Sequence, residues 1–326
     1  MRIVNGSAAF SAATAVSVTI GNFDGVHLGH HELFRRTVAR AKATSTAPVA
    51  LTFSPHPVRF FSPKARFYEI TSLEEKASLL AGFGIEALVV ESFTGELGRM
   101  SPAEFAREIL ARRLRARYAI VGYDFTFGRN RSGSPATLGE IGRELGLEVE
   151  VVPPLVRGGL IVSSTRIREL LLGGRVREAE ELMSRPYRVS GMVVAGAGRG
   201  RKLGYPTANI QFTQELIPLP GVYVVEAEVA GARHRAVANV GFTPTFGENF
   251  LGVEAYLLDF HRDLYGQEVA IHFRDRIRDE RKFKSADELV RQIEKDVRYA
   301  ASARFPARRE AGGMARDPSA AGGSAG

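Results

Sequence analysis

The sequence predicts an α/β domain with a parallel sheet, followed by a small antiparallel β-barrel with a terminal helix. In the first half, short apolar runs alternate with capped helical runs, a pattern typical of a parallel sheet covered by helices. In the second half, short alternating strands with turn signals precede one long helical run from residue 285 to about 301, which favours a barrel. The pattern changes near Arg185 and Pro186. We therefore expect domains at 1–185 and 186–305.

Individual elements follow from local signals. The apolar runs that predict the strands of the sheet are residues 16–20, 49–53, 87–90, 118–121 and 149–152. Ser101-Pro102-Ala103-Glu104 is a capping box with proline at the first helical position, and Ser134-Pro135 opens the next helix in a similar way. The alternating runs that predict the barrel are residues 187–194, 222–229, 236–240, 253–259 and 268–273.

Length, charge and composition exclude several classes of protein. The 326 residues, 44% of them hydrophobic, suffice for two cores. The chain has no cysteine, which excludes disulfides, thiolate zinc sites and cysteine nucleophiles. The net charge of +8 is dispersed among 36 acidic residues, so we expect a solvated basic surface and no nucleic-acid partner.

The chain also lacks a long apolar run, which predicts a cytoplasmic protein with no membrane partner. Beyond residue 305 the composition turns to Ala, Gly, Arg and Ser without periodicity. Residues 306–326 are therefore predicted to be a disordered tail.

Residues 21–30 read Gly-Asn-Phe-Asp-Gly-Val-His-Leu-Gly-His and lie between a strand candidate and a helical run. Such a turn lets the backbone approach a ligand and presents a helix N-terminus to phosphate. His27 and His30 can stabilise developing negative charge on phosphorus, which makes them catalytic candidates. The alternative is a tight turn with histidines that merely cap the helix. The candidate nucleotide-binding residues here are Gly21, Phe23, Asp24, Gly25 and Gly29.

A second phosphate-binding candidate lies more than a hundred residues later. Ser163, Ser164 and Thr165 precede a short helical run, so that one hydroxyl can cap the helix while its first N–H groups face outward. Arg168 adds a permanent cation for phosphate oxygens. Alone, this pattern is typical of a capped helix with solvated arginines. Together with the upstream turn it predicts the other half of one nucleotide site.

A glycine- and cation-rich loop introduces the barrel and indicates a second site. Thr207 and Asn209, two residues apart, would share one face of a strand and offer oxygens to Mg²⁺. Glu254 lies in another strand candidate and can take a proton from a hydroxyl if it faces them. A flexible hairpin and a solvated glutamate are the alternatives. The loop residues predicted to bind nucleotide are Gly198, Gly200, Lys202, Gly204 and Pro206.

From about residue 15 to 303 the chain resembles the prokaryotic bifunctional riboflavin kinase/FMN adenylyltransferase family, also called FAD synthetase. The first domain would then be a Rossmann-like nucleotidyltransferase domain and the second a riboflavin kinase domain. The segments similar to the adenylyltransferase motifs are residues 21–30, 53–57, 122–128 and 163–168. Those similar to the kinase motifs are residues 204–209, 221–223, 244–246, 254, 263–266 and 278–283.

The resemblance implies two consecutive reactions that both require Mg²⁺. Riboflavin and ATP give FMN and ADP, and FMN with a second ATP gives FAD and pyrophosphate. Glu254 would be the kinase base, and Thr207 and Asn209 would bind metal and phosphate. The flavin-binding residues would be Asp124, Phe53, Pro55, Pro57 and Arg278.

Two alternatives to the bifunctional interpretation stay open from the sequence. One is a relative in which only one of the two sites is active, because two sites on one chain can decay independently. The other is a flavin-sensing or nucleic-acid-binding protein. The oligomeric state is also left open.

Overall fold

The computed structural model describes residues 1–196, 198–242 and 251–305. These residues form a parallel sheet flanked by helices and then a closed β-barrel followed by a helix, which confirms the predicted fold class. The predicted tail, residues 306–326, and the kinase-like segment 244–246 lie outside the described residues.

A parallel sheet organises the N-terminal part. Its strands are β1 (Arg2–Asn5), β2 (Val16–Ile20), β3 (Ala47–Ser54), β4 (Ala87–Ser92), β5 (Ala116–Gly122) and β6 (Glu148–Val152). They are ordered β1-β4-β3-β2-β5-β6, and each neighbouring pair is parallel. Strand β1, a mostly exposed edge strand, was not expected from the sequence. The order reverses between β2 and β5, where ligands bind in open α/β sheets.

Helices cover the sheet and begin at the residues that the sequence indicated. Glu104 accepts hydrogen bonds from Ser101 N and Oγ, which closes the predicted capping box, and Ser134 caps the helix that starts at Pro135. A small hairpin, β7 (Val156–Arg157) and β8 (Leu160–Ile161), follows β6. The helices are α1 (Leu28–Thr44), α2 (Pro57–Phe61), α3 (Leu73–Gly82), α4 (Gly95–Arg99), α5 (Pro102–Phe105, continued by a π-helical segment Ala106–Arg113), α6 (Pro135–Leu145), α7 (Ser164–Leu172) and α8 (Val176–Met183).

The barrel closes through antiparallel pairs in the order β10-β13-β12-β11-β14-β9. Alternate residues of each strand fill its interior, as Val253, Ala255 and Leu257 do, while the residues between them face outward. The elements are β9 (Tyr187–Val194), α9 (Arg199–Lys202), β10 (Ala208–Phe212), β11 (Gly221–Val229), β12 (Ala232–Phe242), β13 (Leu251–Leu257), β14 (Glu268–Arg278) and α10 (Ala286–Ser302).

Helices α7 and α8 share a hydrophobic core with the barrel. Leu170 and Leu171 of α7 and Met183 of α8 are buried in the same cluster as barrel residues such as Tyr223 and Phe273. The pattern change near residue 186 coincides with the start of β9. Packing nevertheless joins the two preceding helices to the barrel.

Candidate active sites

The turn after β2 has a strained backbone. Phe23 and Val26 have φ values of +49° and +40°, although neither is glycine, and Gly25 between them has φ +78°. Left-handed backbone in bulky residues is costly and persists only where the surroundings hold it. Phe23 and Val26 are both buried. The turn is therefore fixed by tertiary contacts.

Helix α3 and the residues before it supply several of these contacts. Lys76, which is only 4% exposed, donates from Nζ to the Asn22 carbonyl at 2.7 Å. The hydroxyl of Thr71 accepts from Gly25 N at 3.1 Å. Asp24 Oδ1 in turn accepts from the backbone N–H groups of residues 70 and 71, at 2.8 and 3.2 Å. The contacts of Lys76 and Thr71 could not be expected from the sequence, because nothing local links α3 to this turn.

His27 and His30 cap α1 reciprocally. His27 Nδ1 accepts from His30 N at 3.4 Å, and His30 Nδ1 accepts from His27 N at 3.3 Å, with the rings stacked 3.6 Å apart. The Nδ1 atoms of both histidines therefore cap the helix, as the alternative interpretation of this turn expected. A neutral imidazole whose Nδ1 accepts carries its proton on Nε2. Each ring thus keeps one N–H donor beyond its capping role.

Burial keeps both imidazoles neutral. It is the main cause that lowers the pKa of His27 to about 3, and the positive field of Arg185 and the neighbouring His31 adds to it. The pKa of His30 is also well below its ordinary value, again chiefly through burial. At neutral pH the pair can donate hydrogen bonds to phosphate without carrying charge of its own.

The second phosphate-binding candidate contacts the first. Ser163 caps α7, and Ser164 Oγ donates to the Asp24 carbonyl at 2.8 Å. Arg168 makes an ion pair with Asp24 at 2.6 Å and donates to the Tyr68 carbonyl at 2.8 Å. Thr165, in the first turn of α7, is exposed. The two segments predicted to form one site therefore lie side by side.

The residues predicted to bind flavin here lie at the carboxyl end of the sheet. Asp124 is exposed just after β5, Pro55 is exposed just after β3, and Pro57 is the first residue of α2. Phe53, in β3, packs edge-on against Phe93 with ring centroids 5.9 Å apart. The rings of residues 60 and 61 join them at 5.4 and 5.5 Å from Phe93. This wider aromatic cluster was not expected from the sequence.

On the barrel, three polar residues form one row across neighbouring strands. Asn209 of β10 is the register partner of Glu254 of β13, which is the partner of Asn239 of β12. Directly opposed residues project to the same face of a sheet. Glu254 therefore faces the same side as Asn209, as the proton-transfer hypothesis required. Asn239 was not singled out from the sequence, because its strand assignment alone gives no partner.

Asn209 has the properties of a metal or phosphate ligand. It is 5% exposed, and its Oδ1 makes no hydrogen bond within the part of the chain that the structure describes. A Cβ on Gly196 would come within 2.2 Å of its amide, so only glycine leaves room there. Thr207, partly buried, immediately precedes β10. A buried amide oxygen without a partner among the described residues, two positions after a hydroxyl in the chain, fits a hard cation such as Mg²⁺.

The loop before β10 contains one helical turn, α9, where a flexible hairpin was the alternative. Gly198 and Gly204 bracket it with φ values of +66° and +85°. A Cβ on Gly200 would lie 2.3 Å from the Tyr205 carbonyl, so the loop folds tightly on itself. Lys202, the last residue of α9, is exposed, as is Pro206 just before β10.

Arg278, also predicted to bind flavin, is anchored to the terminal helix. Its guanidinium makes an ion pair with Asp296 of α10 at 2.7 Å. Asp296 is only 3% exposed. Arg278 of β14 is separated from the polar row by one strand, β11, whose Val222 pairs with both Asn239 and Arg278.

These sites and the fold that holds them define the class: a two-domain transferase acting with nucleotides. Comparison with known proteins makes the class specific. Residues 10–166 match the family model of FAD synthetase, and residues 183–303 match that of riboflavin kinase.

Curated relatives match both domains in one alignment. The bifunctional riboflavin kinase/FMN adenylyltransferase of Escherichia coli (strain K12) is 34% identical over 86% of this chain and 90% of its own length. The enzyme of the same description from Pseudomonas fluorescens is 36% identical over 88% of this chain and 93% of its own. The chain belongs to the bifunctional riboflavin kinase/FMN adenylyltransferase family. The family prediction from the sequence is confirmed, and with it the class of enzyme.

A crystal structure of a Streptococcus pneumoniae protein, described as a macrolide-efflux protein, has the same two-domain fold. It superposes with a TM-score of 0.87 at 33% identity and covers 93% of this chain and 100% of that chain.

In residues 1–196, 198–242 and 251–305 of the present chain, no helix combines the length and apolarity needed to cross a membrane.

Proposed function

We propose that the barrel domain phosphorylates riboflavin with ATP, giving FMN and ADP. The N-terminal domain then transfers AMP from a second ATP to FMN, giving FAD and pyrophosphate. The observation that carries this proposal is that each domain assembles its own polar site. His27 and His30 begin α1 beside the reversal of the sheet, and Asn209 and Glu254 oppose each other on the barrel.

In the kinase reaction the nucleophile is the ribityl hydroxyl of riboflavin, which must lose a proton. Glu254 accepts that proton, since a carboxylate within reach of the hydroxyl acts as general base. Thr207 and Asn209 would hold Mg²⁺, with phosphate oxygens and water completing its shell. When bound, the ion neutralises charge on the transferring phosphoryl group. The ATP phosphates are enclosed by the loop residues Gly198, Gly200, Lys202, Gly204 and Pro206. Arg278 lies at the flavin end of the site.

In the adenylyl reaction the nucleophile is the FMN phosphate, which is already anionic at neutral pH and needs no base. The site must position it in line and stabilise charge on the α-phosphate and the departing pyrophosphate. His27 and His30 donate from Nε2, and the N-terminus of α7 with Ser164, Thr165 and Arg168 faces them. This reaction would also require Mg²⁺.

The remaining assignments concern binding. The nucleotide site is shaped by Gly21, Phe23, Asp24, Gly25, Gly29 and Ser163. The flavin is bound by Phe53, Pro55, Pro57 and Asp124. Aromatic rings at the carboxyl edge of the sheet suit stacking on isoalloxazine. We expect a cytoplasmic enzyme without a membrane partner, because the sequence has no long apolar run. We expect no nucleic-acid partner either, because its positive charge is dispersed.

A time course with riboflavin, ATP and Mg²⁺, resolved by chromatography, tests both reactions together. We expect FMN to rise and then give way to FAD. Separate reactions that start from riboflavin or from FMN distinguish the two sites. FMN accumulating without FAD would overturn the adenylyl assignment, and FAD formed from FMN but never from riboflavin would overturn the kinase assignment.

A further inference from the structure

Arg185 lies between the two domains, in the short segment that joins α8 to β9. Its side chain is only 20% exposed. It extends back into the N-terminal domain, where Nη1 donates to the Val26 carbonyl at 2.9 Å. Its Nη2 lies 3.7 Å from a carboxylate oxygen of Glu75 in α3, which balances the buried charge. An arginine that sequence reasoning treated as a boundary signal thus contacts the phosphate-binding turn.

The carbonyl that Arg185 holds belongs to the peptide that leads into His27. On the oxygen side, Val26 O accepts from Arg185 and also lies 3.1 Å from His31 Nε2. On the nitrogen side, His27 N donates to His30 Nδ1. Both ends of one peptide plane are therefore fixed. The orientation of this plane sets the backbone from which the His27 ring projects.

This peptide needs such support because its backbone is strained. Val26 has φ +40° and is fully buried, so the turn would relax if its contacts were removed. A guanidinium suits the task, because its planar fork donates to the carbonyl while another nitrogen faces the carboxylate of Glu75. A shorter or neutral side chain supplies at most one of these two contacts.

The charge of Arg185 also acts on the neighbouring imidazoles. Burial is the larger cause, but the cation contributes to lowering the pKa of His31 to about 4 and that of His27 to about 3. Neutral imidazoles with an occupied Nδ1 donate from Nε2. Arg185 therefore helps to keep His27 and His30 neutral, in addition to holding the backbone that leads into them.

We propose that Arg185 is a positioning residue of the adenylyl site: by holding the Val26–His27 peptide it sets His27 and His30 for the ATP phosphates. The inference rests on the proposed adenylyl transfer and extends it across the domain junction. Arg185 enters from the segment that begins the kinase barrel, where the next residues, Pro186 and Tyr187, are buried. The segment that leads into the barrel therefore helps to shape the site of the other reaction.

Steady-state kinetics of the full-length protein test the proposal with Arg185→Gln and Arg185→Lys. For adenylylation of FMN, we expect kcat/KM to fall about 10- to 100-fold in the glutamine variant, because displaced catalytic groups cost rate steeply. The lysine variant should be intermediate, since it keeps the charge but loses the planar fork. Riboflavin phosphorylation should stay within about twofold of wild type in both.

A matched control is Arg177→Gln, which removes another arginine between the domains. Arg177 lies 3.5 Å from Asp275 and is 58% exposed, and its ion pair involves no residue of the turn. It should leave both activities unchanged. Wild-type adenylylation in Arg185→Gln, or equal loss of both activities, would overturn the inference. If the glutamine variant does not fold, wild-type adenylylation in Arg185→Lys would overturn it equally.

The wild-type protein separates this inference from the proposal beneath it. No FAD from the unmodified enzyme would refute the adenylyl assignment itself. FAD from the wild type together with unaffected Arg185 variants would refute only the positioning role. A further readout is the nitrogen chemical shifts of the histidine rings, where Arg185→Gln should raise the pKa of His31 while a purely structural role would leave it unchanged.

Discussion

Asp24 and Arg168 are 144 positions apart in the chain, yet their carboxylate and guanidinium meet at 2.6 Å. This ion pair joins the turn after β2 to the first turns of α7, and the Asp24 side chain is only 2% exposed. Two segments that each suggest phosphate binding are thereby held as one surface. The pair is a structural connection between them in addition to any contact that Arg168 makes with ATP.

Replacing Arg168 with methionine should therefore reduce stability as well as adenylylation. Removing one partner of a largely buried ion pair leaves the other charge uncompensated, at a cost of about 3 kcal/mol. Urea denaturation at pH 7 measures this loss. The control is Arg166→Met on the same helix, whose pairing with Glu169 is exposed and should cost at most about 0.5 kcal/mol. Equal effects of the two substitutions would contradict the assignment.

Glu254→Gln should separate the two reactions. Without a base for the riboflavin hydroxyl, kcat for phosphorylation should fall about 10²- to 10⁴-fold. Adenylylation of FMN should be unchanged, because it uses the other domain. Glu268→Gln, at an exposed position in β14, serves as the matched control. Phosphorylation that survives Glu254→Gln at near-normal kcat would exclude this glutamate as the base.

Asn209→Ala should weaken the binding of the Mg²⁺ that phosphorylation requires, while costing the folded protein little stability. The buried Oδ1 has no hydrogen-bond partner among the described residues, so its removal in the metal-free protein should cost little. The Mg²⁺ concentration for half-maximal phosphorylation should rise about tenfold or more. Gln211→Ala, an exposed change on the same strand, should alter neither. An unchanged Mg²⁺ requirement in Asn209→Ala would remove this residue from the metal site.

Acid should destabilise the protein through His27. Its folded pKa is about 3, lowered mainly by burial, against about 6.5 in the unfolded chain. The unfolded state binds the proton more readily. The contribution of His27 to the free energy of unfolding is therefore fully present above pH 6.5 and is lost as the pH falls toward 3. At pH 5 the free energy of unfolding should be about 2 kcal/mol lower than at neutral pH because of this one group.

Urea denaturation at pH 7 and pH 5 measures this dependence. Replacing His27 with Gln should reduce the difference between the two pH values, whereas replacing the exposed His261 should leave it nearly unchanged. A pH dependence identical in the wild type and the His27 variant would show that this imidazole is not held neutral.

The fold was largely predictable because its signals are local. Apolar runs marked β2 to β6, and the capping residues Ser101, Ser134 and Ser163 marked three helix starts. The strand at residues 2–5 was missed, because a mostly exposed edge strand has little apolar pattern. The family resemblance was also carried by contiguous motifs, and the comparisons confirm it.

What the sequence could not supply were pairings between distant segments. Lys76 reads as one more charge on a helix until α3 is placed beside Asn22. Asn239 becomes notable only through its register with Glu254, and Arg185 only through its contact with Val26. The histidines show a different limit. From the sequence, capping and phosphate binding are alternatives, whereas the two nitrogens of each imidazole ring allow both.

Helix α7 has a consequence for how this enzyme can be divided. Its first two turns carry Ser164 and Arg168 beside the phosphate-binding turn, and its last turn buries Leu170 and Leu171 in the core shared with the barrel. If the chain is divided before α7, the N-terminal part loses Ser164 and Arg168 of the adenylyl site. If it is divided after α7, apolar surface of the barrel is exposed to water. A chimera of two relatives that is joined on either side of this helix should therefore need the helix repacked against the part from the other relative.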